Sequence, residues 1–173
     1  MPHDTASRES DETYLLGPGE TENAKVRDGT LDIKRLRQTN AEGLELWEPV
    51  IELGFPLSRS DLAAASAACT LPFQDLRRGS YTIGQFIDEV VTLRRCLAAV
   101  QVHKSRRAFS FSDCIAELAQ LTVRSLVLDS LSFEHENPER VLAALRALGL
   151  DGHNNTNYPR GLKRALGLER QSA

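Results

Sequence analysis

The sequence lacks several features that mark whole classes of protein. It has no run of about 18 apolar residues that could form a membrane helix. Its 21 basic residues are outnumbered by 24 acidic ones, giving a formal net charge of −3, which argues against an overall basic nucleic-acid binder. The polar start MPHDTASRESDE has no apolar segment typical of a signal peptide. We therefore predict no membrane or nucleic-acid partner and a cytoplasmic location.

Cysteine is also scarce. Cys69, Cys96 and Cys114 are odd in number and lack the paired spacing of a zinc site, so we interpret them as small core residues in a reducing compartment. The 173 residues are enough for one domain with a real core. We predict a loosely ordered polar tail over residues 1–11, one domain over 12–168 and a second tail over 169–173.

The clearest local pattern is a β-hairpin centred on Asp28-Gly29, since both residue types tolerate the positive φ of a two-residue turn. With this turn, the pairs of opposite residues in the two strands would run from Arg27 and Thr30 to Asn23 and Lys34. The residues on one face of the hairpin would be apolar: Ala24, Val26, Leu31 and Ile33. The residues on the other face would be polar: Lys25, Arg27, Thr30, Asp32 and Lys34. The polar face is either solvated or lines a cavity that attracts anions.

The remaining segments predict an α+β fold. GLELWEPVIEL is typical of a third strand or a bent extended segment. Ser60 is the predicted cap of a short helix, and Thr82 with Gln85 forms the predicted capping box of a second helix that ends near Arg95 or Leu97. Residues 98–136 then contain three strand-like segments separated by short polar breaks, which predict a meander. Asn137 and Pro138 begin another helix that ends at Gly149, and a last short helix follows Pro159.

Charged residues alternate along the meander in a way that suggests a site. Lys104 and Arg106 are two residues apart and would share a face, as would Glu134 and Glu136. Glu117 lies among apolar residues, where an unpaired carboxylate would be costly to bury, so it requires a cation. If the sheet closed into a barrel, these charges would line its lumen. Guanidinium and ammonium groups suit phosphate oxygens, and clustered carboxylates suit Mg²⁺ or Mn²⁺.

The order of these segments resembles that of CYTH domains, the triphosphate tunnel metalloenzymes, which include class IV adenylyl cyclases and thiamine triphosphatases. The segments that carry the resemblance, over roughly residues 8–168, are ETYLL, AKVRDGTLDIKRL, GLELWEPV, VQVHKSRRAF, CIAEL, LSFEHENPERV and LGLDGHNNTNYPRGLK. It implies an antiparallel, barrel-like triphosphate tunnel with flanking helices. It also implies phosphate binding by Lys25, Arg27, Lys34, Lys104 and Arg106, and Mg²⁺ or Mn²⁺ binding by Glu117, Glu134 and Glu136. Lys104, Arg106 and Glu117 would then be the catalytic residues.

The sequence departs from the family at its start. The family opens with a strand that carries Glu-x-Glu-x-Lys, whereas only 11 residues precede Glu12. Glu9 and Asp11 alternate there, but Thr13 stands where the lysine would be, so we predict that the first strand is missing. The tunnel would then be incomplete, with an unpaired edge that a covering loop or a homodimer would protect.

Two functions follow. The first is metal-dependent binding and hydrolysis of inorganic triphosphate or an organic triphosphate. The second is a non-catalytic module that binds phosphate or other polyanions, or an inactive truncated relic. The missing strand favours the second. Against both stands the simpler interpretation that the charged faces are only solvated and that Glu117 is a structural ion-pair partner.

Overall fold

The computed structural model describes residues 7–93 and 96–168. The strands are β1 (Arg8–Leu16), β2 (Glu22–Arg27), β3 (Thr30–Thr39), β4 (Glu45–Gly54), β5 (Leu57–Ser58), β6 (Ser80–Tyr81), β7 (Ala98–Phe111), β8 (Cys114–Val123) and β9 (Leu126–Glu134). The helices are α1 (Arg59–Ala68), α2 (Ile83–Gln85), which continues as a π-helical segment (Phe86–Val91), α3 (Pro138–Ala147) and α4 (Tyr158–Ala165).

Seven long strands form one sheet in the hydrogen-bonded order β4-β3-β2-β1-β7-β8-β9, and β5 pairs with β6 in a small second sheet. The pairs β1–β2, β2–β3, β3–β4, β7–β8 and β8–β9 are all antiparallel. The predicted α+β class with an antiparallel sheet is therefore confirmed. Within the described part of the chain, no helix is both long and apolar enough to cross a membrane.

Two compact units divide the chain. The hairpin unit contains the described residues of Glu12–Gln101 together with 156–168, and the meander unit contains residues 7–11 and Val102–Asn155. Strand β1 begins at Arg8, so it extends four residues into the segment predicted to be a loose tail. Residues 1–6 and 169–173 of the two predicted tails lie outside the described residues.

The hairpin unit forms around the predicted turn. Asp28 and Gly29 have φ values of 50° and 75°, and the register runs from Arg27 opposite Thr30 to Asn23 opposite Lys34, as predicted. The predicted apolar face is the core face, with Leu31 and Ile33 fully buried. Side chains from α1, β5, β6 and the π-helical segment complete this core.

The helices of the hairpin unit begin at side-chain caps. Thr82 and Gln85 form the predicted capping box. Helix α1 is capped by Ser58, not by Ser60 as predicted, because Ser58 has the extended backbone of an N-cap and Asp61 stands three residues later to complete a capping box. Residues 94–95, within the predicted end of the second helix, lie outside the described residues.

The meander unit contains the predicted strand β7 from Val102 onward, the predicted strands β8 and β9, and helix α3. Asn137 caps α3 by accepting a hydrogen bond from the Glu139 amide, Pro138 is its first residue, and Gly149 follows it with φ +67°. Cys114 is buried here, and Cys69 is buried in the other unit, as predicted. Cys96 is exposed, so its assignment to the core is wrong: it follows the helical segment on the surface.

Candidate functional site

The polar face of the hairpin carries a buried ionic cluster. Glu12 on β1 pairs with Arg27 on β2, and its fully buried carboxylate lies between two cations. Lys25 Nζ donates a hydrogen bond to Glu12 Oε2 at 3.1 Å, and Arg27 Nη1 lies 3.5 Å from Glu12 Oε1. The side chains of Lys25 and Arg27 are only 13% and 28% exposed. These two predicted phosphate ligands are thus brought together, and the face is not simply solvated.

Burial sets the electrostatics of this cluster. It lowers the pKa of Lys25; the neighbouring Arg27 acts in the same direction, and the Glu12 carboxylate opposes both. Burial and the same carboxylate raise the pKa of Tyr14 well above its ordinary range. Lys25 Nζ lies 5.8 Å from the centre of the Tyr14 ring, within reach of a cation–π interaction. Glu12 therefore favours the charged form of Lys25.

Lys34 shares the polar face with this cluster but lies at its margin. It pairs with Asn23 on β2 and Pro49 on β4, and its side chain is exposed. Of the three hairpin cations predicted to bind phosphate, Lys34 is the one in open contact with solvent. An exposed lysine contributes charge to an anion site but little fixed geometry.

The meander unit holds a second cluster of the same composition. Lys104 Nζ donates a hydrogen bond to Glu117 Oε1 at 2.7 Å, and Arg106 Nη1 lies 3.6 Å from Glu117 Oε2. The side chains of Lys104, Arg106 and Glu117 are 4%, 17% and 21% exposed. The prediction that Glu117 requires a cation is confirmed, and the strand register explains it. Ala108 stands opposite Glu117, so both cations project from the same face of β7.

The two late carboxylates are separated by the end of a strand. Glu134 is the last residue of β9 and pairs with Ile115, so it shares a face with Glu117, which pairs with Ser132. Glu136 lies beyond the strand, in the bend before α3, so the alternation that was predicted to align it with Glu134 ends before it. Both side chains are exposed.

These carboxylates do not fit a divalent metal in the arrangement observed. Mg²⁺ and Mn²⁺ require several converging oxygen ligands. Among the residues that the structure describes, no three His, Cys, Asp or Glu side chains are grouped closely enough to hold a metal ion. In addition, each oxygen of Glu117 is already close to a cation.

Glu12 is the site residue that sequence reasoning missed. Ser10, Glu12 and Tyr14 alternate along β1, so they share one face of the strand, and all three are buried. This alternation in the sequence could have indicated that Glu12 is buried. The register between β1 and β2 could not be predicted, since the segment that joins these strands is not a two-residue turn. His103, which alternates with the cations, faces Asp11. Its Nδ1 lies 2.9 Å from Asp11 Oδ1, and that hydrogen bond raises the pKa of His103.

A groove in the meander unit lies beside the second cluster and shares Arg106 with it. It encloses about 240 Å³ in the meander unit, and its lining includes Ser105, Gln120 and Asp129, which form a cross-strand row on the face opposite Glu117. Of the predicted site residues, only Arg106 lines it. The charged residues of its lining are Arg106, Arg107 and Asp129.

Comparison with known proteins adds little. The sequence matches no protein-family model and no curated protein. Among solved structures, it is similar to a Bacillus halodurans protein described as a "putative adenylate cyclase", with 13% sequence identity and a TM-score of 0.45. The match covers 88% of this chain and 80% of the other.

Proposed function

We propose that the protein binds phosphate-rich anions, with a triphosphate-containing small molecule as the preferred ligand. The phosphate-binding residues would be the Lys25 and Arg27 pair in the hairpin unit and, as a separate site, the Lys104 and Arg106 pair in the meander unit. One observation carries the proposal: in each unit a lysine and an arginine, two residues apart, converge on the two oxygens of one carboxylate.

This geometry supports anion binding because the cations are already ordered. Lys25 and Lys104 have little exposed surface, so most of their hydration has been lost on folding rather than on binding. Phosphate oxygens therefore interact more strongly with these lysines than they would with fully solvated lysines. The ordered lysines also lose less side-chain freedom when a ligand binds. Arg27 and Arg106 are more exposed and carry several N–H donors, so they would make the first contact with an incoming phosphate. Lys34 would add charge at the margin.

Hydrolysis of the bound triphosphate is the second candidate. It is favoured by the position of Glu134, which shares a face with Glu117 and so with the cations of the meander. In that function Lys104 and Arg106 would neutralise phosphate charge. The carboxylates predicted to bind Mg²⁺ or Mn²⁺, Glu117, Glu134 and Glu136, are not grouped to hold the ion in the arrangement observed. Because the described residues contain no group of three metal ligands, we place binding before hydrolysis.

Calorimetric titration with inorganic triphosphate, with and without Mn²⁺, tests both candidates when phosphate release is measured in the same samples. We expect the protein to bind triphosphate without added metal, and we expect its affinity for triphosphate to fall as the salt concentration rises. Arg106→Ala and Arg27→Ala should each lower the affinity about 10- to 100-fold, since a hydrogen bond to a charged group contributes about 1.5–3 kcal/mol. Because the two arginines belong to different units, the variants test the two pairs separately.

Arg146→Ala is the matched control, since it removes the same charge from an exposed position in the last turn of α3. It should bind triphosphate like the wild type. If the wild-type protein gave no heat with triphosphate in either condition, the proposed function would be wrong. If phosphate release required Mn²⁺ and disappeared in Glu134→Gln, hydrolysis would instead be the favoured function.

Two further proposals concern where the protein acts and how it assembles. A reducing cytoplasm would suit the three free cysteines. A homodimer would cover β9 or β4, the strands at the two ends of the sheet order.

A further inference from the structure

Strand β9 has a free edge without the features that usually prevent further strand pairing. Among the strands that the structure describes, it is the last in the sheet order, with β8 as its one neighbour. All nine residues of β9 pair with β8 in one register without a bulge, and none of them is buried. The strand has no proline, lysine or arginine, and Leu126, Val127 and Leu131 are exposed. Because proline, charge and bulges are what block an edge, β9 is open to another strand.

Strand β4, at the other end of the sheet order, has this protection. Its ten residues include Pro49, which has no N–H to donate, and the acidic residues Glu45, Glu48 and Glu52. Its pairing with β3 is also interrupted by two irregularities. Another strand would therefore add less readily to β4 than to β9.

We infer that the edge of β9 pairs with β9 of a second copy of this chain, in antiparallel orientation about a two-fold axis at Ser130. This contact would be the one edge that the proposed homodimer covers, and it would not depend on phosphate binding. A two-fold contact uses the same surface on both copies, so the strand must be complementary to itself. Pairing would place Ser130 opposite the partner's Ser130 and continue the sheet from one copy into the other.

The charges of β9 satisfy this requirement. Asp129 would stand opposite the partner's Leu131, and Glu134 opposite the partner's Leu126, so no like charges would face each other. A shift of the axis to Asp129 would instead place two carboxylates opposite each other, which is destabilising. The side chain of Gln120 donates a hydrogen bond to Asp129 Oδ1 within the same chain, so Asp129 keeps a polar partner in the dimer.

Exposed apolar side chains on one face of the meander would be covered by this pairing. Leu118 and Leu131 stand opposite each other on β8 and β9 and are 50% and 40% exposed. Val127 is four residues from Leu131 on the same strand, so it shares this face, and it is 59% exposed. It would stand opposite the partner's Phe133, and β-branched and aromatic residues form favourable cross-strand pairs. Burial of this apolar surface would drive association.

Sedimentation equilibrium under reducing conditions, which prevent disulfides through the exposed Cys96, tests the contact. We expect the wild type to show a concentration-dependent equilibrium between monomer and dimer. Val127→Lys should weaken dimerisation at least about 100-fold, because a symmetric dimer contains the substitution twice and lysine blocks free edges. Leu46→Lys is the matched control, since Leu46 lies on β4 and is 55% exposed, so this variant should dimerise like the wild type.

Cysteine cross-linking tests the register and gives a second measurement if Val127→Lys folds poorly. Both variants are made with Cys96→Ser, because the other two cysteines are buried. The Cα atoms of directly opposite residues lie about 4.5–5.5 Å apart, so Ser130→Cys should form a disulfide-linked dimer on oxidation with copper phenanthroline. The two copies of residue 129 would be diagonal neighbours about 7–8 Å apart, so Asp129→Cys should cross-link much more slowly.

The outcomes separate the contact from the other proposals. A wild type that stayed monomeric would refute the homodimer together with the β9 contact, and the edge would then be available only to a strand of another molecule. A dimer that survived Val127→Lys, or that Leu46→Lys disrupted instead, would refute the β9 contact alone. Faster cross-linking of Asp129→Cys than of Ser130→Cys would overturn the register. Triphosphate binding is measured separately by calorimetry, so its failure would leave the β9 contact standing.

Discussion

Replacing Glu12 with glutamine tests whether the buried ionic cluster of the hairpin unit stabilises the fold. The carboxylate is fully buried and lies 3.1 Å from Lys25 Nζ and 3.5 Å from Arg27 Nη1. Removing one member of a buried ion pair costs about 3–5 kcal/mol, because the remaining charge is left uncompensated. Lys25 and Arg27 keep some exposure to solvent, at 13% and 28%, so we expect the low end of that range, about 3 kcal/mol.

Urea and thermal unfolding measure this change. For a chain of 173 residues, a loss of about 3 kcal/mol should lower the melting temperature by about 6–12 °C. Glu48→Gln is the control, since it removes the same carboxylate from the Arg37–Glu48 pair, in which both side chains are about half exposed. Solvent screening limits that loss to less than about 1 kcal/mol.

A double-mutant cycle with Lys25→Met then separates the Glu12–Lys25 interaction from other effects. Because these two residues are in contact, we expect the double variant to be more stable than the sum of the single losses predicts, by at least about 1 kcal/mol. If Glu12→Gln were as stable as Glu48→Gln, or the cycle were additive, the ion pairs with Lys25 and Arg27 would not stabilise the hairpin unit.

Two further predictions concern the turn and the paired histidine. Gly29→Ala should lower the free energy of unfolding by about 1–2 kcal/mol, because Gly29 has φ +75°. An added Cβ would meet no atom within 4 Å, so the loss comes from the backbone conformation and not from a clash. The control is Gly84→Ala, which is equally open but lies in α2 without positive φ and should be neutral or stabilising in the same urea titration. For His103, the hydrogen bond to Asp11 raises the pKa above its usual 6.5, so the pairing stabilises the fold below about that pH and is lost as pH rises through the raised value. NMR titration should find a lower His103 pKa in Asp11→Asn, and an unchanged one would contradict the assigned contact.

Short-range patterns in the sequence predicted much of the local structure. The Asp28-Gly29 turn and the alternation around it fixed the hairpin register, since a slip of one residue would turn Leu31 and Ile33 away from the core. The Thr82–Gln85 capping box and the Asn137-Pro138 start of α3 were also predicted, because their hydrogen bonds join residues two or three apart. Such interactions depend on little beyond the neighbouring residues.

The sequence by itself therefore determined the α+β class, the hairpin with its two faces, and the need of Glu117 for a cation. Only the tertiary structure decided that Glu12 contacts both Lys25 and Arg27, that Glu117 contacts both Lys104 and Arg106, and that Glu136 lies beyond the end of β9. The physical reason is that these features depend on strand pairing and strand ends. Residues 11 to 15 positions apart meet because backbone hydrogen bonds align their strands. An alternating pattern predicts which face a side chain takes but not the residue that it contacts there.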